Sequence, residues 1–299
     1  MKQVVQEMEP IITRILQEID PEHIHEGHEY IQKSRRDIRY TIEFTIESLQ
    51  MKQKSILFHY YFWLYQTLQA YQIQLPVILD MFDAIKSHLT PYLDEEGKTF
   101  LHSIQRQDIE YFVRKDEFIP KELSKQAQQY LDFLLKKDRH GANRWIQELI
   151  QSGVSLETIY LTIFQTAMIE IGRLWQYREI SVADEHMATV ITQFIMTQLY
   201  PLIFSTKKNG KKLVALALGS ELHEIGIRMV SDYFEYRGFE THYLGANIPV
   251  GAVLSYIKQF KPDLLALSVT LGSHLGALKT LIEQIRADQD LSSIKVLIG

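Results

Sequence analysis

Leu213-Val214-Ala215-Leu216-Ala217-Leu218 runs into Gly219-Ser220-Glu221-Leu222-His223-Glu224-Ile225-Gly226. A short, unbroken apolar run that stops at glycine is the pattern of a strand buried on both faces. The residues after it predict a helix over 223–236. The alternation then repeats, with strand 240–244, helix 250–260, strand 264–269, helix 274–286 and strand 295–298. Strands separated by helices of this length predict a parallel three-layer α/β domain over 213–299, with ligands bound beyond the strand carboxyl ends. The sequence stops at Gly299, directly after a strand. That would leave one side of the sheet short of a covering helix, so a carboxyl-terminal truncation is expected.

Upstream the periodicity changes. Residues 1–120 read as a helical domain. Ile38, Ile42, Thr45, Ile46 and Leu49 form one stripe of a helix over 30–54, and Lys33, Arg35, Arg36 and Glu43 lie on its other side. Residues 56–65, Ile-Leu-Phe-His-Tyr-Tyr-Phe-Trp-Leu-Tyr, are too aromatic for a surface helix and predict a buried one. Leu75-Pro76 marks a helix start, and Pro91 opens or interrupts the next. A boundary is expected over 115–122, followed by a second helical unit, 124–206, broken at Gly141, at Ser152-Gly153 and over 176–181. Ser181 and Asp184 have the spacing of a reciprocal helix cap, ahead of a mostly apolar run over 187–199 that is expected to be central to a bundle.

The 299 residues and 35.0 kDa suffice for several domains, and 46% apolar residues suffice for real cores. A net charge of -5 argues against a broadly basic nucleic-acid surface. Cysteine is absent, which removes disulfides, thiolate metal sites and cysteine nucleophiles. No apolar run approaches the roughly 20 residues that cross a bilayer, and the amino terminus has no signal core, so a cytoplasmic protein is expected. The cluster Lys33, Arg35, Arg36 and Arg39 reads as a solvated helix face rather than a phosphate contact. His23, His25 and His28 are close in sequence, but on one helix 23 and 25 face different directions, and metal binding there is not expected.

The turn after the first strand lacks G-x-G-x-x-G spacing, and no P-loop pattern occurs, so dinucleotide and nucleoside-triphosphate readings lose their support. It offers instead an imidazole, His223, two residues after the Glu221 carboxylate. A carboxylate bonded to one ring nitrogen fixes the other as a ligand. Gly226 would let a bulky group approach the first helical turn. On chemistry alone the same residues read equally as a helix cap, a solvated glutamate and a packing glycine, and they do not fill a zinc shell.

Glu221-Leu222-His223-Glu224-Ile225-Gly226 resembles the D-x-H-x-x-G signature of Rossmann-like cobalamin-binding domains, as in methionine synthase, corrinoid proteins, mutases and B12 sensors. The resemblance implies His223 as the lower axial cobalt ligand, Glu221 as its hydrogen-bond partner in place of the usual aspartate, and Ser220 and Gly226 as further contacts. It also implies Ser268 and Thr270 beside the nucleotide tail, and Gly299 as the first of a glycine pair. Trp175, followed by Glu185-His186, matches the W-x9-E-H motif of adenosylcobalamin photoreceptors. In that family a four-helix cap lies over the corrin, which here implies residues 124–206. Trp175 would then pack beside the adenosyl group, with Glu185 and His186 as polar contacts. The family's histidine after the tryptophan is replaced by Gln176, which leaves the upper ligand after photolysis unassigned.

The resemblance thus implies a multidomain α plus α/β protein: amino-terminal bundle, helical cap and Rossmann-like domain. The expected function is light-sensing signalling or transcription regulation through adenosylcobalamin, with methylcobalamin or hydroxocobalamin as other forms. A homo-oligomer, a dimer as the first expectation, and a regulatory protein partner are expected, without direct DNA binding, since no winged-helix pattern is present. Two alternatives stand beside it: a corrinoid methyl carrier of a methyltransferase system, and an interaction module with a degenerate B12 pocket. A mutase lacks its substrate barrel.

Overall fold

The computed structural model describes residues 4, 6–19, 28–115, 122–220 and 222–299, with the backbone alone at 28 and 29. His23, His25, Glu221 and the side chain of His28 therefore lie outside the described residues. The chain divides into two compact units, Met1–Phe118 and Ile119–Gly299.

The first unit is helical: α1 (Met8–Ile19), α2 (His28–Met51), α3 (Lys54–Gln69), α4 (Leu75–Leu89), α5 (Glu95–His102) and α6 (Arg106–Lys115). Pro76 stands in the first turn of α4, and Pro91 lies in a 3-10 turn, Thr90–Tyr92. The aromatic run forms α3 as expected and buries Leu57, Tyr60, Tyr61 and Leu64, although Trp63 stays largely exposed. Tyr61 meets Phe82 of α4 edge-on, with ring centroids 5.8 Å apart. The basic cluster on α2 is more than a solvated face. Arg35 Nη2 lies 2.6 Å from Glu9 of α1, Arg39 pairs with the same carboxylate, and Arg36 pairs with Asp37.

In the second unit a helical layer precedes the sheet. It comprises α7 (Lys125–Leu135), α8 (Arg139–Gln151), a helical stretch Leu156–Thr158 that passes through the π-helical Ile159–Phe164 into α9 (Gln165–Gln176), α10 (Val182–Gln198) and α11 (Tyr200–Ile203). The reciprocal cap at Ser181 and Asp184 is present. Gly141, expected to break a helix, lies inside α8. Asp138 caps that helix and accepts from Gly141 N at 2.8 Å, so the break falls just before it. The run over 187–199 is only half central: Ile191, Ile195 and Met196 are buried, but Met187 and Val190 face outward.

The α/β part follows as β1 (Lys212–Ala217), α12 (Ile225–Tyr236), β2 (Glu240–Tyr243), α13 (Val250–Phe260), β3 (Leu264–Ser268), α14 (Leu275–Ala287) and β4 (Lys295–Ile298). The strands are all parallel in the order β2-β1-β3-β4. Alternate side chains of β1 define the layers. Leu213, Ala215 and Ala217 pack with Ile227 of α12. Val214, Leu216 and Leu218 pack with α13 and α14 through Val253, Ile257, Leu278 and Leu281. Because β1 is covered on both faces, its apolar run is continuous instead of alternating. The outer face of α12 brings Met229 into the core of the helical layer, so α12 lies between sheet and helices.

Candidate cofactor site

The chain turns from β1 toward β2 on one side and from β3 toward β4 on the other, so the switch point of the sheet lies at the carboxyl ends of β1 and β3. Gly219, with φ of 73°, ends β1 there and starts the turn that carries Ser220 and His223. His223 is exposed, and Leu222 beside it is 76% exposed. Gly226 lies in the first turn of α12 and is exposed. A Cβ built on it would meet nothing within 4 Å. An exposed imidazole beside a helix turn with open space over its glycine is what a large planar ligand coordinated from below requires.

Ser268 ends β3 in register with Ala217 of β1, and its carbonyl accepts from Leu218 N at 3.1 Å. Thr270 lies exposed in the loop beyond. Gly299 extends β4, donating to the Leu267 carbonyl at 3.1 Å and accepting from Val269 N at 2.9 Å. The structure thus brings Ser220, His223, Gly226 and Ser268 to one end of the sheet. In the helical layer, Trp175 lies in the last turn of α9 and is 37% exposed. Glu185 lies in the first turn of α10 and His186 directly after it; the two pair with each other at 2.5 Å, and Thr189 donates to Glu185 at 3.2 Å.

Four side-chain bonds tie the helical layer to α12 and its cap. Gln193 of α10 donates to Glu224 Oε1 at 2.9 Å, and the other oxygen of that carboxylate accepts from Tyr243 of β2 at 2.8 Å. Tyr160 donates to Asp232 at 2.9 Å, Arg228 to Tyr200 at 3.0 Å, and Tyr233 to Glu157 at 3.3 Å. Burial pushes the Asp232 carboxyl up to about 6, against the opposing pull of the Tyr160 hydrogen bond and Arg228. It drives the Tyr243 hydroxyl up as well, helped by Glu224. Glu224 is the residue after His223, so the turn that bears the imidazole is held from the helical layer and from β2 at once. These partners escape a reading by motif, because they lie 19 to 76 residues apart. His274, whose Nε2 lies 3.0 Å from Ser220 Oγ, was also missed. Its position, opening the helix after the third strand, was the available signal.

Among the described residues, no group of three or more histidines and carboxylates could hold a metal ion, and no helix is long and apolar enough to cross a membrane.

Comparison with known proteins carries the site further. Residues 211–299 match a B12 binding domain, and residues 126–200 match a second B12 binding domain. Among curated proteins, the dimethylamine corrinoid protein of Methanosarcina barkeri is 27% identical over 94 residues, 30% of this chain and 44% of that protein. Dimethylamine corrinoid protein 2 of Methanosarcina acetivorans is 26% identical over 132 residues, 44% of this chain and 59% of that protein. This chain thus spans about half the length of these relatives. The solved monomethylamine corrinoid protein of Methanosarcina barkeri shares the fold, with a TM-score of 0.52 at 20% identity, over 57% of this chain and 82% of that one.

These findings correct the photoreceptor resemblance, and with it the light-sensing, signalling and transcription-regulatory reading. The relatives are methylamine corrinoid proteins. The W-x9-E-H spacing has a local cause in this chain: Trp175 lies in the last turn of one helix, and Glu185 follows a capping box in the first turn of the next, where the helix dipole favours a carboxylate. In this chain that spacing therefore carries no photoreceptor assignment by itself. Matched over its helical layer and again over its sheet domain, the chain carries two segments that each match a B12 binding domain, and its cofactor is of the cobalamin/corrinoid class.

Proposed function

We propose that this chain is a corrinoid carrier of a methyltransferase system, with 1–120 as a dimerisation or partner-contact domain, 124–206 as the cap and 213–299 as the cofactor-binding domain. The observation that carries the reading is the exposed His223 imidazole at the switch point, beside the open turn at Gly226. His223 would hold the cobalt, and Glu221 would orient its ring. Ser220, Ser268, Thr270 and Gly299 line the tail side of the sheet. Trp175, Glu185 and His186 would contact the cofactor from the cap. Bound cobalamin would supply methyl-transfer chemistry between protein partners. The chain's own work is to bind, to orient the ligand and to exclude water: Glu224 holds the His223 turn, while the cap shields the upper face.

The test is to load purified protein with hydroxo-, methyl- and adenosylcobalamin, remove free cofactor and record spectra for the wild type and His223→Ala. A retained spectrum with imidazole in place of the cofactor's own base, lost in His223→Ala, supports the ligand assignment. Retained methylcobalamin whose methyl group passes to a thiol acceptor with a partner methyltransferase supports the carrier. If no corrinoid is retained by the wild type, the reading fails and the degenerate interaction module replaces it.

A further inference from the structure

The switch point that bears His223 holds a second imidazole. His274 closes the 3-10 turn Gly272–His274 on the β3 side, yet its Nε2 lies 3.0 Å from Ser220 Oγ on the β1 side. The same ring rests on the backbone of Gly219, where a built Cβ would meet two of its atoms at 3.4 Å. One side chain therefore spans the place where the two connections diverge, which is where an α/β sheet opens to ligands. A ring laid over one lip of that opening and bonded to it stands in the way of anything that enters between the connections that leave β1 and β3.

We propose that the Ser220–His274 bridge is a gate at the carboxyl ends of β1 and β3, which parts to admit the nucleotide tail of a cobalamin, so that His274 sets how fast tailed corrinoids enter relative to tailless ones. The proposal rests on the cobalamin reading above and deepens it. The bridge combines a side-chain hydrogen bond with a ring contact. Both can be broken by turning one side chain, and the sheet itself need not move. Entry of a corrin that lacks the tail leaves the bridge intact.

The experiment uses the full chain and follows quenching of protein fluorescence after rapid mixing with hydroxocobalamin or with diaquocobinamide, which has no nucleotide tail. His274→Ala should speed hydroxocobalamin entry about fivefold, the effect of one hydrogen bond on a rate. Cobinamide entry should be unchanged, and that unchanged rate also establishes that the variant is folded. His274→Gln, which can still reach and bond Ser220, should restore slow entry of the tailed cofactor. An unchanged or slower hydroxocobalamin rate in His274→Ala overturns the gate, as does equal acceleration of both corrinoids. If the wild type takes up neither corrinoid, the gate and the cofactor reading beneath it fall together.

Discussion

Gly141 and Gly226 both stand in the first turn of a helix, and their surroundings give them opposite meanings. A Cβ on Gly141 would come within 2.2 Å of Asp138 Oδ2 and 2.9 Å of the Phe133 ring, so the side chain that caps α8 would have to leave. Gly141→Ala should therefore cost about 1–3 kcal/mol, from lost capping and overpacking, read as a lower midpoint in thermal or urea unfolding. At Gly226 nothing obstructs a side chain. Gly226→Ala should leave stability within about 1 kcal/mol of wild type, or raise it through helix propensity. Gly226→Trp should also fold, yet weaken retention of hydroxocobalamin by tenfold or more, because the ring would occupy the face over the turn. A Gly226→Trp protein that retains cofactor like the wild type would move the corrin away from α12.

At the scale of the element, α12 is the piece that both halves of the second unit share. One face meets the sheet through Ile227, and the other enters the helical layer through Met229, with Asp232 only 7% exposed beneath Tyr160. The carboxyl of Asp232 is raised to about 6, chiefly by burial. A raised folded value favours the protonated form in the native state. Its stabilising contribution is therefore complete below about pH 4 and is lost as pH rises through about 6. Asp232→Asn keeps an oxygen for the Tyr160 hydroxyl and removes the titration. Its stability advantage over wild type should grow by about 2–3 kcal/mol between pH 4 and pH 7, a size set by the shift. Parallel stability curves for the two proteins across that range would show that Asp232 does not govern the seam. None of this was legible in the sequence, where Tyr160 and Asp232 are merely two residues in two helices. What was legible followed from local rules: the unbroken β1 run, the Ser181–Asp184 cap and the Pro76 helix start. His223 and Gly226 could be read because one short turn carries them. His274, Gln193 and Tyr243 could not, because only the sheet order and the docking of α10 bring them to that turn.

At the scale of the whole molecule, the two units have separate cores, one spanning α1 to α6, and the others built from α7 to α11 and from the two faces of the sheet. Every residue assigned here to the cofactor lies in Ile119–Gly299. A ligand that binds only the native form of one unit stabilises that unit by mass action, by about 2.7 kcal/mol at a free concentration one hundred times its dissociation constant. It does nothing for a unit that folds on its own. Calorimetry of the full chain should therefore resolve two unfolding transitions, and hydroxocobalamin should raise one of them while leaving the other in place. Expression of residues 119–299 alone would identify the mobile transition, since it should melt at the same temperature and rise by the same amount with cofactor. A single transition that moves as a whole on loading would mean that the amino-terminal bundle and the B12-binding unit unfold together. The partner-contact role proposed for residues 1–120 would then have to be sought in a folding dependence between the units.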